Sequence, residues 1–255
     1  MIITFLGTGT SQGVPVIACH CDVCSSLDFR DKRLRSSIHI QHGEQSFIID
    51  SGPDFRQQVL RERIERLDAL IFTHAHKDHT AGMDDVRGFN FKQKRSMPVF
   101  GTEEVLEQLK TEFAYIFAAH TYPGVPRIDL NVINGENSFS VNEVEFIPIR
   151  VMHYKLPVLG FRVGDFTYIT DAKYISDESI DLIRGTKTLV LNALHHKMHY
   201  SHLNLEEALE MIERIQPEKT YLTHISHHMG LSRDINSQLP PGVQLAYDGL
   251  ELDVS

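Results

Sequence analysis

The segment LDALIFTHAHKDHTAG, residues 67–82, joins an apolar run to a dense group of potential metal ligands. The apolar run predicts a buried strand that continues to about residue 73. Side chains two residues apart on a strand point to the same face, so His74 and His76 are expected to converge on one metal ion. The chain must then turn, which lets Asp78 and His79 face a second ion. Imidazole suits zinc, iron and nickel, and added carboxylates also admit manganese.

This H-x-H-x-D-H pattern resembles the metallo-β-lactamase superfamily of metallohydrolases, whose fold is an αββα sandwich. The resemblance implies that three further ligands follow three later strands. His153 follows a predicted strand at 144–152, Asp171 follows one at 165–170, and His224 follows one at 219–223. By resemblance, one ion is held by His74, His76 and His153, the other by Asp78, His79 and His224, and Asp171 bridges both.

The resemblance also implies roles around the two ions. Asp50 ends an apolar strand in FIIDSGPD and is expected to orient a ligating histidine. His202, in YSHLNLEE before a helix, matches the position of the general acid, and imidazole titrates near neutral pH. The implied catalytic residues are His202, Asp171 and Asp78.

All three cysteines lie within six residues, in the loop Cys19–Cys24. C-x-C-x-x-C can present three thiolates to a tetrahedral zinc ion, and this spacing disfavours a disulfide framework. A fourth ligand is needed. His20 is one candidate but is awkwardly placed between two ligating cysteines, and His227, three residues after His224, is the better one.

The cysteine loop, together with three other stretches, limits the resemblance to one group within the superfamily. The stretches GTGTSQGVPVIACHCDVC, THAHKDH, THISHH and YDGLEL together are similar to the phosphoribosyl cyclic phosphate phosphodiesterases of the bacterial carbon–phosphorus lyase pathway. This resemblance implies a structural zinc held by Cys19, Cys21, Cys24 and His227. It also implies a dinuclear phosphodiesterase that attacks a small phosphodiester, cyclic or linear, with a metal-activated water.

The substrate contacts are less tightly defined by the sequence. Ser11 and Gln12 follow two glycines in the first loop and are candidates to approach the substrate phosphate, as is Lys155 after His153. The segment LNALHHKMHYSH departs from the similar phosphodiesterases. Its residues 195–197, His-His-Lys, are therefore expected to reshape specificity.

Length, composition and charge limit the number of domains, the kind of partner and the location that the sequence allows. A chain of 255 residues with 42% hydrophobic content fits one domain over residues 1–255. The net charge of −9 disfavours nucleic acid as a partner, whereas bound ions would still attract a small anion. No long apolar run indicates a membrane span, and the start reads as a strand, so a cytoplasmic location is expected. A homodimer is left open.

Strands and helices both follow from the pattern of apolar residues and turn residues. A capping box at Asn204 and Glu207 predicts the start of a helix. Strands are predicted at 2–6, 37–41, 46–50, 69–73, 98–101, 128–133, 144–152, 158–163, 165–170, 188–192, 219–223, 243–247 and 250–254, and helices at 54–65, 84–91, 102–117, 176–184, 204–215 and 232–238.

Two other classes of enzyme share part of this arrangement of metal ligands and cysteines. A tRNA 3′-end processing endonuclease has the same metal core, but the acidic charge and the cysteine loop argue against it. An iron-dependent oxidase or hydroxylase related to pyrroloquinoline quinone biosynthesis has a similar cysteine loop, but a complete dinuclear ligand set favours hydrolysis. The metals of the active site are open among manganese, zinc and iron.

Overall fold

Two β-sheets lie face to face, and helices cover the outer surface of each. The computed structural model describes residues 1–119 and 122–254. The first sheet has the order β15-β1-β2-β3-β4-β5-β6. Its strands are β1 (Ile2–Gly7), β2 (Ser37–His42), β3 (Gln45–Ile49), β4 (Ala69–Ile71), β5 (Met97–Gly101), β6 (Ile128–Val132) and β15 (Glu251–Asp253).

The second sheet has the order β11-β8-β9-β10-β12-β13-β14, with β7 paired to β8. Strands β10, β12, β13 and β14 run parallel to one another, as β3 to β6 do in the first sheet. The strands are β7 (Phe139–Val141), β8 (Val144–His153), β9 (Leu156–Val163), β10 (Phe166–Ile169), β11 (Tyr174–Ile175), β12 (Thr188–Asn192), β13 (Lys219–Thr223) and β14 (Val243–Leu245).

The helices are short, and most lie against the outer faces of the sheets. Single 3-10 turns cover Phe29–Asp31, Met83–Val86 and His227–Met229. The α-helices are α1 (Asp22–Ser25), α2 (Phe55–Arg61), α3 (Lys77–Thr80), α4 (Arg87–Gln93), α5 (Glu103–Glu112), α6 (Ala114–Phe117), α7 (Asp177–Ile183), α8 (Leu205–Ile215) and α9 (Ser232–Asn236).

Three apolar clusters account for the layers. One fills the space between the sheets, where Phe47 meets Phe146 edge to face at 5.4 Å between ring centroids. A second joins the second sheet to α7 and α8, and a third joins the first sheet to α2, α4 and α5. Each sheet thus buries both faces, which explains strands such as β12 whose five residues are all buried. The expected αββα sandwich is confirmed.

Most predicted elements are present, with some corrections. The capping box is formed: Asn204 accepts from the Glu207 amide at 2.8 Å, and Glu207 accepts from the Asn204 amide at 2.9 Å. The predicted helix 102–117 is instead two helices, because the chain leaves helical geometry at Phe113. Strand β4 ends at Ile71, two residues earlier than predicted. Strands β7 and β11 and helices α1 and α3 were not predicted.

No helix in the described ranges has the length and hydropathy needed to cross a bilayer.

Candidate metal centres

The predicted ligands, and Asp50 that is expected to orient one of them, meet at one end of the sandwich because each lies at or beyond the end of a strand. Asp50 comes after β3, His153 closes β8, and Asp171 and His224 come shortly after β10 and β13. The carboxyl ends of neighbouring parallel strands lie at the same edge of a sheet, and packing the two sheets brings both edges together. Residues that are up to 174 positions apart in the chain therefore line one centre.

The H-x-H-x-D-H motif reaches this centre through a loop rather than a strand. His74 lies beyond the end of β4, and His76 precedes the first residue of α3 in an extended conformation. Their ring centroids nevertheless lie 4.6 Å apart. The ring centroid of His153 is 6.0 Å from that of His74 and 5.2 Å from that of His76. The three histidines assigned to one ion thus converge, but strand alternation is the wrong reason for it.

The second predicted set also converges. Asp78, His79 and His224 offer ligand atoms that all lie within 4.8 Å of one another. Asp78 Oδ2 is 3.2 Å from His79 Nε2. Both residues belong to the single turn of α3, so one helical turn supplies adjacent ligands to this side of the centre.

Asp171 lies between the two sets. Its Oδ2 is 3.2 Å from both His79 Nε2 and His224 Nδ1, whereas its Oδ1 is 3.1 Å from His202 Nε2. Asp171 also lies within ligand-atom distance of His74 and of His153, so it contacts residues of both predicted sets, as a bridging ligand requires. Asp171 and His224, like Asp50, have left-handed backbones with φ of 55°, 56° and 65°. Such conformations are costly for residues other than glycine and concentrate at functional sites.

Hydrogen bonds fix which nitrogen each histidine offers to the centre. The Thr73 hydroxyl donates to Asp50 at 2.8 Å, so it must accept from His74 Nδ1 at 2.9 Å. His79 Nδ1 donates to Asp50 at 2.7 Å, and His153 Nδ1 donates to the Ser201 carbonyl at 2.8 Å. In all three rings Nδ1 carries the hydrogen, and Nε2 is left to bind a metal.

Two of these Nε2 atoms lie where a metal ion would be their natural partner. His74 Nε2 and His79 Nε2 are buried without a hydrogen-bond partner. Burying an unpaired polar nitrogen is costly, and a bound cation would satisfy both. Histidine nitrogens with carboxylate oxygens are ligands for zinc, manganese and iron.

The carboxylates around His79 also favour a cation at this centre. Burial opposes a charge on this ring, but the carboxylates of Asp171, Asp50 and Asp78 raise the pKa of His79 well above its usual value. Burial lowers the pKa of His74 well below its ordinary value and that of His224 to about 4. Without metal, one proton on His79 partly neutralises the buried carboxylates. A divalent cation would displace that proton and take over its role.

A glycine contact positions the ligands of α3. The Ser51 amide donates to the His79 carbonyl at 2.8 Å, so the chain after Asp50 lies directly against α3. A Cβ atom on Gly52 would stand 2.1 Å from the Asp78 carbonyl oxygen. Only glycine therefore allows the loop that carries Asp50 to approach the helix that carries Asp78 and His79 this closely.

Replacing Gly52 by alanine is expected to push α3 away and to lower both stability and active-site metal affinity. Overpacking of this kind typically costs about 1–3 kcal/mol or more. Gly88→Ala in α4 is the matched control, because its Cβ would meet nothing within 4 Å and alanine favours a helix by about 0.5–1 kcal/mol. Thermal unfolding and metal titration of both variants measure the effect. Equal stability of the two variants would contradict this packing.

The cysteine loop forms a second centre. His227 Nδ1 lies 3.4 Å from Cys19 Sγ, 3.3 Å from Cys21 Sγ and 3.5 Å from Cys24 Sγ. Zinc–sulfur and zinc–nitrogen bonds of about 2.3 and 2.0 Å give tetrahedral edges of about 3.5 Å, so the four atoms fit a zinc ion. The geometry places His227, and not the exposed His20, in this group. Hydrogen bonds from the Cys24 amide and from His227 lower the pKa of Cys21 to about 6, which favours the thiolate that zinc requires.

This cluster is tied to the other centre through the backbone. The Ile225 amide donates to the Thr8 carbonyl at 2.9 Å, and the Thr10 amide donates to the Ile225 carbonyl at 3.1 Å. Thr10 Oγ1 lies 3.2 Å from His224 Nε2. The opening loop therefore contacts His224 directly, while the cysteines at its far end contact His227.

Purified protein is expected to hold one equivalent of chelator-resistant zinc at the cysteine cluster, alongside more exchangeable ions at the centre around Asp171. Cys24→Ser and His227→Ala should each lose this zinc, because a closed site needs all four ligands. His20→Ala is the matched control from the same loop and should keep it. Metal analysis after chelator treatment decides the matter. Zinc retained by His227→Ala but lost from His20→Ala would reverse the assignment.

The proposed substrate contacts are less closely tied to the centre. Ser11 and Gln12 are exposed and directly follow Thr10, and the Ser11 carbonyl accepts from Arg35 at 3.1 Å. Lys155 lies in the turn between β8 and β9, with its Nζ 5.4 Å from the Tyr154 ring centroid. Their contacts with substrate remain predictions. The same is true of the specificity role for residues 195–197, in which His196 hydrogen-bonds the Met229 carbonyl at 2.8 Å.

Sequence reasoning missed the residues that hold the ligands in place. Thr73, Ser201 and Thr10 each contact a histidine of the predicted ligand sets, and Nδ1 of His199 lies 3.2 Å from Nδ1 of His202. Thr73 could have been found, since it adjoins the motif and a hydroxyl there can orient a ring. The Ser201 contact is made by a backbone carbonyl, for which the sequence holds no signal.

Fold and candidate site together define a protein of the metallo-β-lactamase type, with side chains grouped as metal ligands would be. The chain belongs to this superfamily, because residues 45–225 match the family described as the beta-lactamase superfamily domain. It is similar over its full length to the crystal structure of a new diphosphatase from the PhnP family, with 38% identity, a TM-score of 0.93, and coverage of 100% of this chain and 98% of that chain.

Two further proteins are similar to this chain. An octanoyltransferase of Porphyromonas gingivalis is 39% identical over 96% of this chain, and the chain spans half of that protein's length. Zinc-bound PqqB from Methylobacterium extorquens shares the fold, with 19% identity, a TM-score of 0.80 and full coverage of both chains.

Proposed function

We propose that the protein hydrolyses a small phosphodiester, cyclic or linear, at a dinuclear metal centre. The observation that carries this proposal is the position of Asp171, whose carboxylate lies close to ligand atoms of His74 and His79 and, in a separate group, to those of His153 and His202. His74, His76 and His153 would hold one ion, Asp78, His79 and His224 the other, and Asp171 would bridge them. When bound, the pair of ions would lower the pKa of a water molecule and stabilise charge on a phosphoryl oxygen.

The protein's own residues account for the rest of the reaction. Hydrolysis joins the water oxygen to phosphorus, breaks the bond to the leaving oxygen, and requires a proton on that oxygen. His202 is the proposed donor, since its ring lies 4.5 Å from that of His153 and its Nε2 faces the centre. Its Nδ1 is 3.2 Å from Nδ1 of the half-buried His199, which offers a path for protons from solvent.

Positioning is the role proposed for the residues behind the ligands. Asp50 would hold His79 with Nε2 toward the centre, and Thr73 would do the same for His74. Such contacts hold the histidine rings in the orientation that metal binding needs. Losing them commonly costs about 10–100-fold in metal affinity or activity. The zinc cluster would keep the opening loop against His224.

A diphosphate is the second candidate substrate. The similar structure with 38% identity is that of a diphosphatase, and hydrolysis of a diphosphate also proceeds by attack of water at phosphorus. The net charge of −9 argues against transfer RNA, whose phosphates would need a basic surface. A full set of ligands for two ions favours hydrolysis over an oxidase reaction.

The test is an assay of the protein loaded separately with manganese, zinc and iron(II). Substrates should include bis(p-nitrophenyl) phosphate, a five-membered cyclic phosphate and a simple diphosphate. We expect hydrolysis of one of these classes that depends on metal and disappears on chelation. Absence of turnover on all three, with both ions bound, would overturn the proposal.

A further inference from the structure

Two exposed tyrosines flank the centre and have no role in the chemistry described above. Tyr154 directly follows His153 and is 57% exposed, and Tyr200 lies two residues before His202 and is 70% exposed. Scattered single apolar residues on a surface need no explanation. These two are 46 positions apart in the chain, and the fold brings them into contact.

Their rings form a continuous group with His199. The rings of Tyr154 and Tyr200 meet edge to face at 5.7 Å, and His199 stacks on Tyr200 at 4.6 Å with 28° between the planes. We call Tyr154, His199 and Tyr200 the aromatic rim. The His199 ring lies 5.1 Å from that of His202, so the aromatic rim begins beside the proposed proton donor and extends outward to solvent.

The backbone of Tyr154 is strained. Tyr154 and Lys155 form the two-residue turn between β8 and β9, since His153 pairs with Leu156. Tyr154 has φ of 56°, a left-handed conformation that suits glycine and costs other residues about 1–2 kcal/mol. Burial of the ring does not offset this cost, because the ring is more than half exposed. A two-residue hairpin turn requires a positive φ at its first position, and here that position carries an aromatic side chain beside the centre instead of glycine.

A positive charge accompanies the rings. Lys155 Nζ lies 5.4 Å from the Tyr154 ring centroid, within the range of a cation–π contact. The ligand chemistry that matches this group is a flat aromatic body linked to phosphate, with the phosphate at the metal centre. The ribose of a nucleotide would join a base on the aromatic rim to a phosphate beside His202, whose ring lies 5.1 Å from that of His199.

We infer that the aromatic rim stacks a nucleobase, and that the substrate is a nucleotide-bearing phosphodiester or diphosphate. The inference rests on the proposed function and defines its substrate class. The base would lie on Tyr200, with the edge of Tyr154 limiting its position, and the phosphate would extend past His202. The net charge of −9 favours a mononucleotide unit over a polynucleotide.

The experiment compares the binding of AMP and ribose 5-phosphate to the metal-loaded protein by calorimetry. Both ligands carry the same phosphate and ribose, so the ratio of their Kd values isolates the base. Base–aromatic stacking is worth about 1–3 kcal/mol, so AMP should bind about 5–150-fold more tightly. Tyr200→Ala should bring the ratio close to one, and Tyr200→Phe should preserve it, because stacking needs the ring and not the hydroxyl.

The outcomes distinguish a failure of base stacking from a failure of the proposed hydrolysis. Equal Kd values in the parent protein, or an AMP preference that survives Tyr200→Ala, would overturn base stacking even if phosphodiester hydrolysis is found. An AMP preference that depends on Tyr200, in a protein that hydrolyses no phosphodiester or diphosphate, would support the nucleotide subsite and overturn the proposed reaction. Much tighter binding of a single-stranded oligoadenylate than of AMP would replace the mononucleotide with RNA.

Discussion

Asp171→Asn is expected to lower hydrolysis by on the order of 10³-fold or more while leaving the fold intact. An amide has the shape of the carboxylate but lacks its charge and offers only one oxygen, so it cannot bridge two ions. Several kcal/mol of transition-state stabilisation depend on both ions, and each 1.36 kcal/mol is a factor of ten in rate. Asparagine also tolerates the left-handed backbone at this position, where φ is 55°.

The measurement pairs kcat/KM with metal content and thermal unfolding. Asp171→Ala serves as the comparison: it should lose as much activity but unfold more easily, since alanine is strained in this backbone conformation. Asp165→Asn, at a half-exposed carboxylate that pairs with Lys187 near the start of β10, is the matched control and should keep full activity. Near-parental turnover of Asp171→Asn with both ions bound would refute the bridging role.

His202→Ala is expected to separate proton donation from metal binding. The variant should retain both active-site ions but lose turnover most severely on substrates whose leaving group is a simple alkoxide. General acid catalysis typically contributes about 10²–10⁴-fold, and p-nitrophenolate leaves readily without a proton. The loss should therefore be small for bis(p-nitrophenyl) phosphate and approach that factor for an alkyl phosphodiester.

The structure makes this test a sharp one, because the ligand atoms of His202 also group with those of His153 and Asp171. If His202 were a metal ligand, its loss would lower metal content and reduce activity on both substrates alike. His224→Ala is the comparison that should show that pattern. An equal loss on the two leaving groups would show that His202 acts as a ligand or a structural residue.

The strands and the type of fold were largely predictable from residue patterns and the family resemblance. The apolar run Ala69–Ile71 and the run Lys219–Thr223, which holds aromatic and β-branched residues, both read as strands and are strands. The capping box at Asn204 was also predictable, because both of its hydrogen bonds lie within four residues. The break at Phe113 was not, since helical propensity continues through it and a local change in backbone direction separates α5 from α6.

The sequence alone determined the kinds of ligand and their local spacing. The motif from His74 to His79 and the loop from Cys19 to Cys24 each place several metal-binding atoms within six residues, close enough for backbone geometry alone to bring them together. A functional hypothesis followed from these short segments, because metal chemistry depends on donor type and spacing.

Only the tertiary structure decided how those segments meet. Packing of the two sheets brings Asp171 to His79 and the cysteine loop to His227, and the strand order within the second sheet brings Tyr154 to Tyr200. It also fixes which nitrogen each histidine offers, since that depends on partners such as Asp50 and the Ser201 carbonyl. These contacts join residues from 29 to 208 positions apart, and no local pattern records them. They arise because strand pairing within each sheet, and burial of apolar side chains between the two sheets, align the ends of distant strands.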